Sequence, residues 1–278
     1  EYFSVAHNDE FTTIGAEAFM NSSLRKVDLF DSVTTIGARA FAGCAQLEEL
    51  TLPDSLTTIG EGALDGLTGL KKLVIKCDPA LIPAGVFANM PNLSEVTIES
   101  GAVPAHMFAG SGVKALTLGA GVTEIGGSAF ADTLLSAADL KHVTAIGAGA
   151  FANTALTSVE LTQAAAIGEG AFEGSALESV RLSASASVGE RAFANTKLKQ
   201  LVIPTAGSFP LSAVEGTSAE LRLPADATDA QLAAWNETLE RPWYDPMLRE
   251  GEVSKFVKMP FEPTPAENFE FDPETGLI

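Results

Sequence analysis

At ten points along this 278-residue chain an Ile-type residue is followed five positions later by a Phe-type one, and the couple recurs every 21 to 23 residues. The couples are Ile14/Phe19, Ile36/Phe41, Ile59/Leu64, Ile82/Phe87, Val103/Phe108, Ile125/Phe130, Ile146/Phe151, Ile167/Phe172, Val188/Phe193 and Phe209/Val214. A fixed couple on a fixed period is what a stack of equivalent coils needs, because each coil can bury its apolar side only against its neighbours. The chain reads as a repeat solenoid of about ten coils.

Between successive couples lies an L-x-x-L-x-L triplet. It starts with Leu24/Val27/Leu29 and Leu47/Leu50/Leu52, passes through Leu135/Ala138/Leu140, and ends with Leu198/Leu201/Ile203 and a reduced Leu221/Leu223. Its last two members are two residues apart and share one face of an extended segment, so each coil is expected to carry a short parallel strand with one face in the core. A period of this length with this triplet is the sign of a leucine-rich repeat. Two punctuation points complete the coil. Gly, or in three coils Pro83, Pro104 and Pro210, follows the Ile column and is read as a bend. Asn21, Gly43, Gly66, Asn89, Gly110, Asp132, Asn153, Gly174, Asn195 and Gly216 stand two residues after the Phe column. All tolerate a left-handed backbone, which ends the single helical turn that carries the Phe.

Composition fits a folded body. At 46% hydrophobic residues the chain can bury a large elongated core, and it holds no apolar run of membrane-spanning length. Seventeen Lys and Arg against 36 Asp and Glu give a net charge of -19, which repels phosphate backbones and excludes nucleic acid as an expected partner. No basic, apolar leader opens the chain, as expected of a mature secreted protein or an internal segment of a longer one. Of the two cysteines, Cys44 falls in the column held elsewhere by Ser22, Ser111, Thr133, Thr154, Ser175, Thr196 and Thr217, and is expected to be a small buried filler. Cys77 follows the third strand, so a disulfide between them has little to support it.

The stretches LTTIGEGALDGLTGLKKLVI and VTAIGAGAFANTALTSVEL resemble the BspA-like, treponemal-type leucine-rich repeat, with its I-G-x-x-A-F signature followed by L-x-x-V-x-L. The resemblance covers about residues 11–223. It implies a bacterial protein that is secreted or displayed at the cell surface in host-associated communities, some members of the family binding host matrix proteins or other cells. Two departures are the Cys of the A-F-x-G-C position, kept only at Cys44, and the Ile-Pro variant.

The period stops after Leu223. Thr228 or Asp229 can cap a helix whose apolar stripe is Leu232, Trp235 and Leu239 and which stops at Pro242. The expected division is 1–224 solenoid, 225–248 helical cap including Trp243 and Tyr244, and 249–278 an acidic, proline-spaced linker. The final FDPETGLI resembles the opening of a further module.

The exposed strand face is the candidate working surface. One outward column runs Lys26, Glu49, Lys72, Glu95, Ala115, Ala137, Ser158, Ser179, Gln200 and Glu220, an alternating charge ladder at its start. The other runs Asp28, Thr51, Val74, Thr97, Thr117, Asp139, Glu160, Arg181, Val202 and Arg222. Asp139 beside Glu160 should raise one carboxylate pKa or attract a cation, with Arg181 next in line to neutralise it. Lys72, Glu95, Asp139, Glu160, Arg181 and Arg222 are therefore the candidate contacts. His142 near Asp139 is a weak acid/base or metal suggestion, while His7 and His106 lie apart. No H-E-x-x-H, C-x-x-C, G-x-S-x-G or phosphate-cradling loop occurs, and a shallow face gives a carboxylate pair no cleft, so no enzyme, cofactor or metal is expected.

The leading expectation is a surface module that binds a protein or glycan, host extracellular matrix among them, with no membrane insertion within this chain. The alternative is a structural spacer or stalk in a larger surface protein. Neither outward column carries an aromatic residue, which counts against a high-affinity protein interface there.

Overall fold

The computed structural model describes residues 2–4, 10–205, 207–238 and 248–251, giving the backbone alone at 2–4 and 236–238. Trp243, Tyr244, Leu239, His7 and the segment after Gly251 lie outside the described residues. The triplets form a parallel six-stranded sheet ordered Tyr2–Ser4, Lys26–Asp28, Glu49–Leu52, Lys72–Ile75, Glu95–Ser100 and Ala115–Gly121. Its register sets Val27 beside Leu50, then Leu73, Val96 and Leu116, so each core column runs straight through the stack. Tyr2–Ser4 adds a rung before the first coil that the periodicity reveals.

The Ile columns build a second edge. Thr13–Ile14, Thr35–Ile36 and Thr58–Ile59 form one ladder, and Glu124–Ile125, Ala145–Ile146, Ala166–Ile167 and Ser187–Val188 another. The glycine after Ile explains both. Gly37 donates its N–H to Ile14 O at 2.8 Å, and Gly60, Gly147 and Gly168 repeat the bond to Ile36, Ile125 and Ile146 at the same length. A Cβ on Gly37, Gly60, Gly126, Gly147, Gly168 or Gly189 would lie 2.4 to 2.6 Å from a backbone nitrogen of the preceding coil. The glycine is needed for close approach between coils, whereas the sequence suggested a bend. Gly15, in the first coil, would meet nothing within 4 Å. Proline has no N–H to give, and the ladder is interrupted in the coils carrying Pro83 and Pro104, where only the bridge Val103 to Ile125 remains.

Phe rings fill the interior. Phe87, Phe108, Phe130, Phe151, Phe172 and Phe193 stack with centroids 5.2 to 5.9 Å apart and planes within 12° of parallel. Phe19 and Phe41 form a shorter stack, at 5.3 Å, and Leu64 separates the two runs. All ten residues two after this column have positive φ, from 56° at Asn89, Asn153 and Asn195 to 73° at Gly66. A second left-handed column, three residues after Ile, holds Glu17, Arg39, His106, Ser128 and Arg191 as well as glycines. Next to the first column, Ser111, Thr133, Thr154, Ser175 and Thr196 are buried and donate to the carbonyl three residues back at 2.6 to 2.9 Å. In these five coils the buried hydroxyl closes the turn without leaving its donor unsatisfied.

At the far end, Gln231 and Thr228 cap the helix Asp229–Thr238 reciprocally: Gln231 N–H donates to Thr228 Oγ1 at 3.2 Å and Thr228 N–H to Gln231 Oε1 at 2.8 Å. Leu232 and Trp235 pack on the core. The chain then returns to the sheet, Leu248–Arg249 pairing in parallel with Glu220–Leu223.

Three outcomes follow from the close approach and the stack. Gly168→Ala should destabilise by ~1–3 kcal/mol through forced separation of two coils, whereas Gly15→Ala should leave stability unchanged or raise it by up to ~1 kcal/mol. Denaturant melts of the two variants read the contrast directly. Phe151→Ala, in the middle of the ring stack, should cost ~3–5 kcal/mol in the same assay.

Candidate binding surface

The strand face has two unlike halves. In the first, charges are satisfied within the molecule. Lys26 Nζ lies 3.1 Å from Glu49 and Lys72 Nζ 4.0 Å from Glu95. One column away, Glu48 accepts from Arg25 at 2.5 Å and from Lys71 at 2.9 Å. These two hydrogen bonds, that of Lys71 first, hold the Glu48 carboxyl down at about 2. The alternating ladder read from the sequence is present, and Lys72 and Glu95 are engaged with each other.

In the second half the ladder of strands opens twice. Residues 137–140 form no strand, and among the described residues no backbone hydrogen bond joins 136–141 to either neighbouring coil. Ala137, Ala138 and Asp139 are poor strand formers. Asp139 also offers a local alternative, its carboxylate accepting the Lys141 N–H at 3.2 Å and the Lys141 ammonium at 3.0 Å. The ladder resumes as Ser158–Leu161 with Ser179–Leu182, then opens again before Gln200–Val202. Of the core-column residues beside the openings, Leu116, Leu118, Ala138, Val180 and Leu182 are half-buried, while Leu140, Val159, Leu161, Leu201 and Ile203 stay buried, as Leu50 and Leu73 do in the first half.

Each opening is a shallow recess. The first, of about 840 Å³, has Leu116 and Ala138 in its floor and Asp139, Lys141, Glu160 and Arg181 on its walls. The second, of about 740 Å³, lies between Val180, Leu182 and Val202 and is rimmed by Glu178, Lys199 and Glu250. Ser179 and Arg181 line both, so the rung Ser179–Leu182 is the ridge between them.

The candidate residues separate accordingly. Glu160 and Arg181 face each other in register. Asp139 joins them at the first recess, but the like-charge effect expected there is reversed: the Lys141 hydrogen bond holds the Asp139 carboxyl below the ordinary carboxylate range, with a smaller contribution from His142. Arg222 is not an open contact, since its side chain is 12% exposed and donates to Glu220 and to Arg249 O, anchoring the returning strand. His106 occupies a left-handed bend. Cys44 and Cys77 are both free and buried; the Cys44 thiol donates to Phe19 O at 2.9 Å, and burial pushes the Cys77 thiol up to about 11. Among the described residues no group of three or more His, Cys, Asp or Glu is placed to hold a metal, and no helix is long and apolar enough to cross a membrane. The recesses were missed from sequence; the one available sign was Ala138 in a column otherwise held by Leu or Val.

Parallel strands, stacked rings and a 21- to 23-residue period define a leucine-rich repeat solenoid. The chain belongs to the BspA type leucine rich repeat region family, which matches it over residues 12–136 and 101–217 with six copies. Among solved structures, a leucine rich cell surface protein from Faecalibacterium prausnitzii A2-165 is 21% identical, with 84% of this chain and 87% of that one covered and a TM-score of 0.33. A leucine-rich repeat protein from Bacteroides ovatus is 19% identical, over 76% of this chain and 78% of that one, at a TM-score of 0.27. One from Eubacterium ventriosum is 18% identical, over 78% and 77%, at 0.33. No curated protein matches the chain.

The Glu48 cluster sets a pH dependence. Its carboxyl is depressed from 4.5 to about 2 in the folded protein, so its stabilising contribution is complete above about pH 4.5 and is lost as pH falls through about 2. The melting temperature of the unaltered chain should therefore fall more steeply across that window than that of Glu48→Gln. Parallel curves would show that the cluster contributes nothing.

Proposed function

We propose that this chain is a non-catalytic binding module of a bacterial surface protein, and that it meets its partner with the second half of the strand face, around Asp139, Glu160 and Arg181. The observation that carries this reading is the double opening of the strand ladder, which exposes half-buried apolar residues and charged side chains on a face that is closed and self-neutralised elsewhere. An extended repeat surface with a local recess suits a protein or glycan ligand, host matrix among the candidates. Placement outside the cell is what the BspA-type resemblance implies. Lys72 and Glu95 form an exposed cross-coil pair at 4.0 Å away from the recesses, and Arg222 anchors the returning strand, so the proposed contact surface does not include them.

A stalk role is the second reading. The unbroken stack of six Phe rings from Phe87 to Phe193 favours it, since it makes a stiff rod suited to holding another module away from a wall.

The two separate in a capture assay against host matrix proteins, mucins and glycans, run with the unaltered chain and with Asp139→Lys/Glu160→Lys/Arg181→Glu. The binding reading expects capture by the first, loss in the second, and melting temperatures that agree, because the three side chains are exposed. No capture by either chain would favour the stalk.

A further inference from the structure

Five of the six described arginines are held by a carboxylate: Arg25 by Glu48, Arg39 by Glu17, Arg191 by Glu173 and Glu215, Arg222 by Glu220 and Arg249 by Asp229. Arg181 is the exception, with no ion pair among the described residues although the chain carries 36 acidic residues to 17 basic ones. It is exposed, and it stands on the ridge that both recesses share. Lys199, at the rim of the second recess, is likewise exposed and has no ion pair among the described residues.

The surroundings of Arg181 decide what could approach it. Glu160 and Val202 flank Arg181 in its own outward column, and the neighbouring column carries the small residues Ser158 and Ser179, which leave room beside the guanidinium for a ligand. The rungs bordering the second recess, Ser179–Leu182 and Gln200–Val202, remain neighbours with Cα atoms within 8 Å, but among the described residues no backbone hydrogen bond joins them, so main-chain groups at the recess are unpaired within the fold. The floor is aliphatic, and neither outward column offers an aromatic ring on which a sugar could stack. A net charge of -19 repels a polyanion such as a sulfated glycan far more than a single carboxylate.

We infer that the second half of the strand face binds an extended peptide segment of a partner protein, with one Asp or Glu carboxylate of that segment on Arg181. This rests on the binding reading above and names the partner class. The guanidinium supplies a charge-assisted pair with the carboxylate, Lys199 adds field, and single main-chain groups at the recess can hydrogen-bond the segment where it crosses the face. Glu160, opposite Arg181 in register, accepts a basic or hydroxyl side chain on the same segment and so sets its direction.

The test is selection of a displayed random peptide library on the purified full chain, with Arg181→Gln in parallel and a glycan array carrying uronic-acid and sulfated oligosaccharides as the second arm. Selected peptides should each contain Asp or Glu. Replacing that residue by Asn or Gln, or using the Arg181→Gln chain, should weaken binding by about tenfold or more, the usual scale for a hydrogen-bonded charge pair. Selection of no peptides, selection that survives Arg181→Gln unchanged, or Arg181-dependent binding of an anionic glycan would each overturn the inference. Capture of a matrix protein that depends on Glu160 while no peptide is selected would overturn it and leave the binding-module reading standing.

Discussion

Each coil lies within hydrogen-bonding distance of the main chain of the coil before it, and everything else in the molecule depends on that approach. From the second coil on, a glycine after the Ile column donates its N–H to the Ile-column carbonyl of the coil before at 2.7 to 2.8 Å, and there is no room for a Cβ. That spacing in turn brings the Phe rings to 5.2 to 5.9 Å, sets the buried Ser and Thr hydroxyls on their carbonyls, and aligns the outward columns. Proline at the same position removes a donor, and the Ile ladder fails there while the ring stack carries straight on from Phe87 to Phe108. The solenoid therefore has independent ladders that can break in different coils without the stack coming apart.

The proposed binding surface uses that independence. The Ile edge is continuous from Glu124–Ile125 to Ser187–Val188, the same coils in which the strand face opens at residues 137–140. Interior packing there is intact, with Phe130, Phe151 and Phe172 fully buried, so the face can depart from regular pairing at little cost to the rod. The first half shows the contrasting arrangement: the strands are hydrogen-bonded in register from Tyr2–Ser4 to Ala115–Gly121, and cross-coil ion pairs link the rungs of Lys26, Glu49, Lys72 and Glu95.

Much of this was legible in the residues, for a physical reason. The Ile, Phe and triplet columns are repeated, and repetition turns a weak local preference into an unambiguous period; the left-handed residue after the Phe column could be named in all ten coils because Asn, Asp and Gly tolerate that backbone. The second left-handed column was illegible, since Glu17, Arg39 and Arg191 carry no such preference and are held there by the stack. The glycine after Ile was seen but given the wrong cause, because a bend and a close approach both demand Gly. The face was read correctly as columns, yet its openings were not, since Leu135/Ala138/Leu140 satisfies the triplet pattern and the competing Asp139–Lys141 turn shows only in three dimensions. The carboxylate pair was misjudged for the same reason: Lys141 lies off the columns but next to Asp139 in space.

Native-state amide hydrogen exchange tests the central claim, that one half of the strand face is closed and the other open. Gln200 and Val202 stand in the same columns as Lys72 and Val74, and Lys72 N–H is bonded to Glu48 O at 3.0 Å. The account predicts that the amides of Gln200, Val202 and residues 137–140 exchange orders of magnitude faster than those of Lys72 and Val74, with the Ile edge of the same coils protected. Equal protection of both halves would contradict it, because the recesses on which the proposed binding surface rests would then be closed in solution.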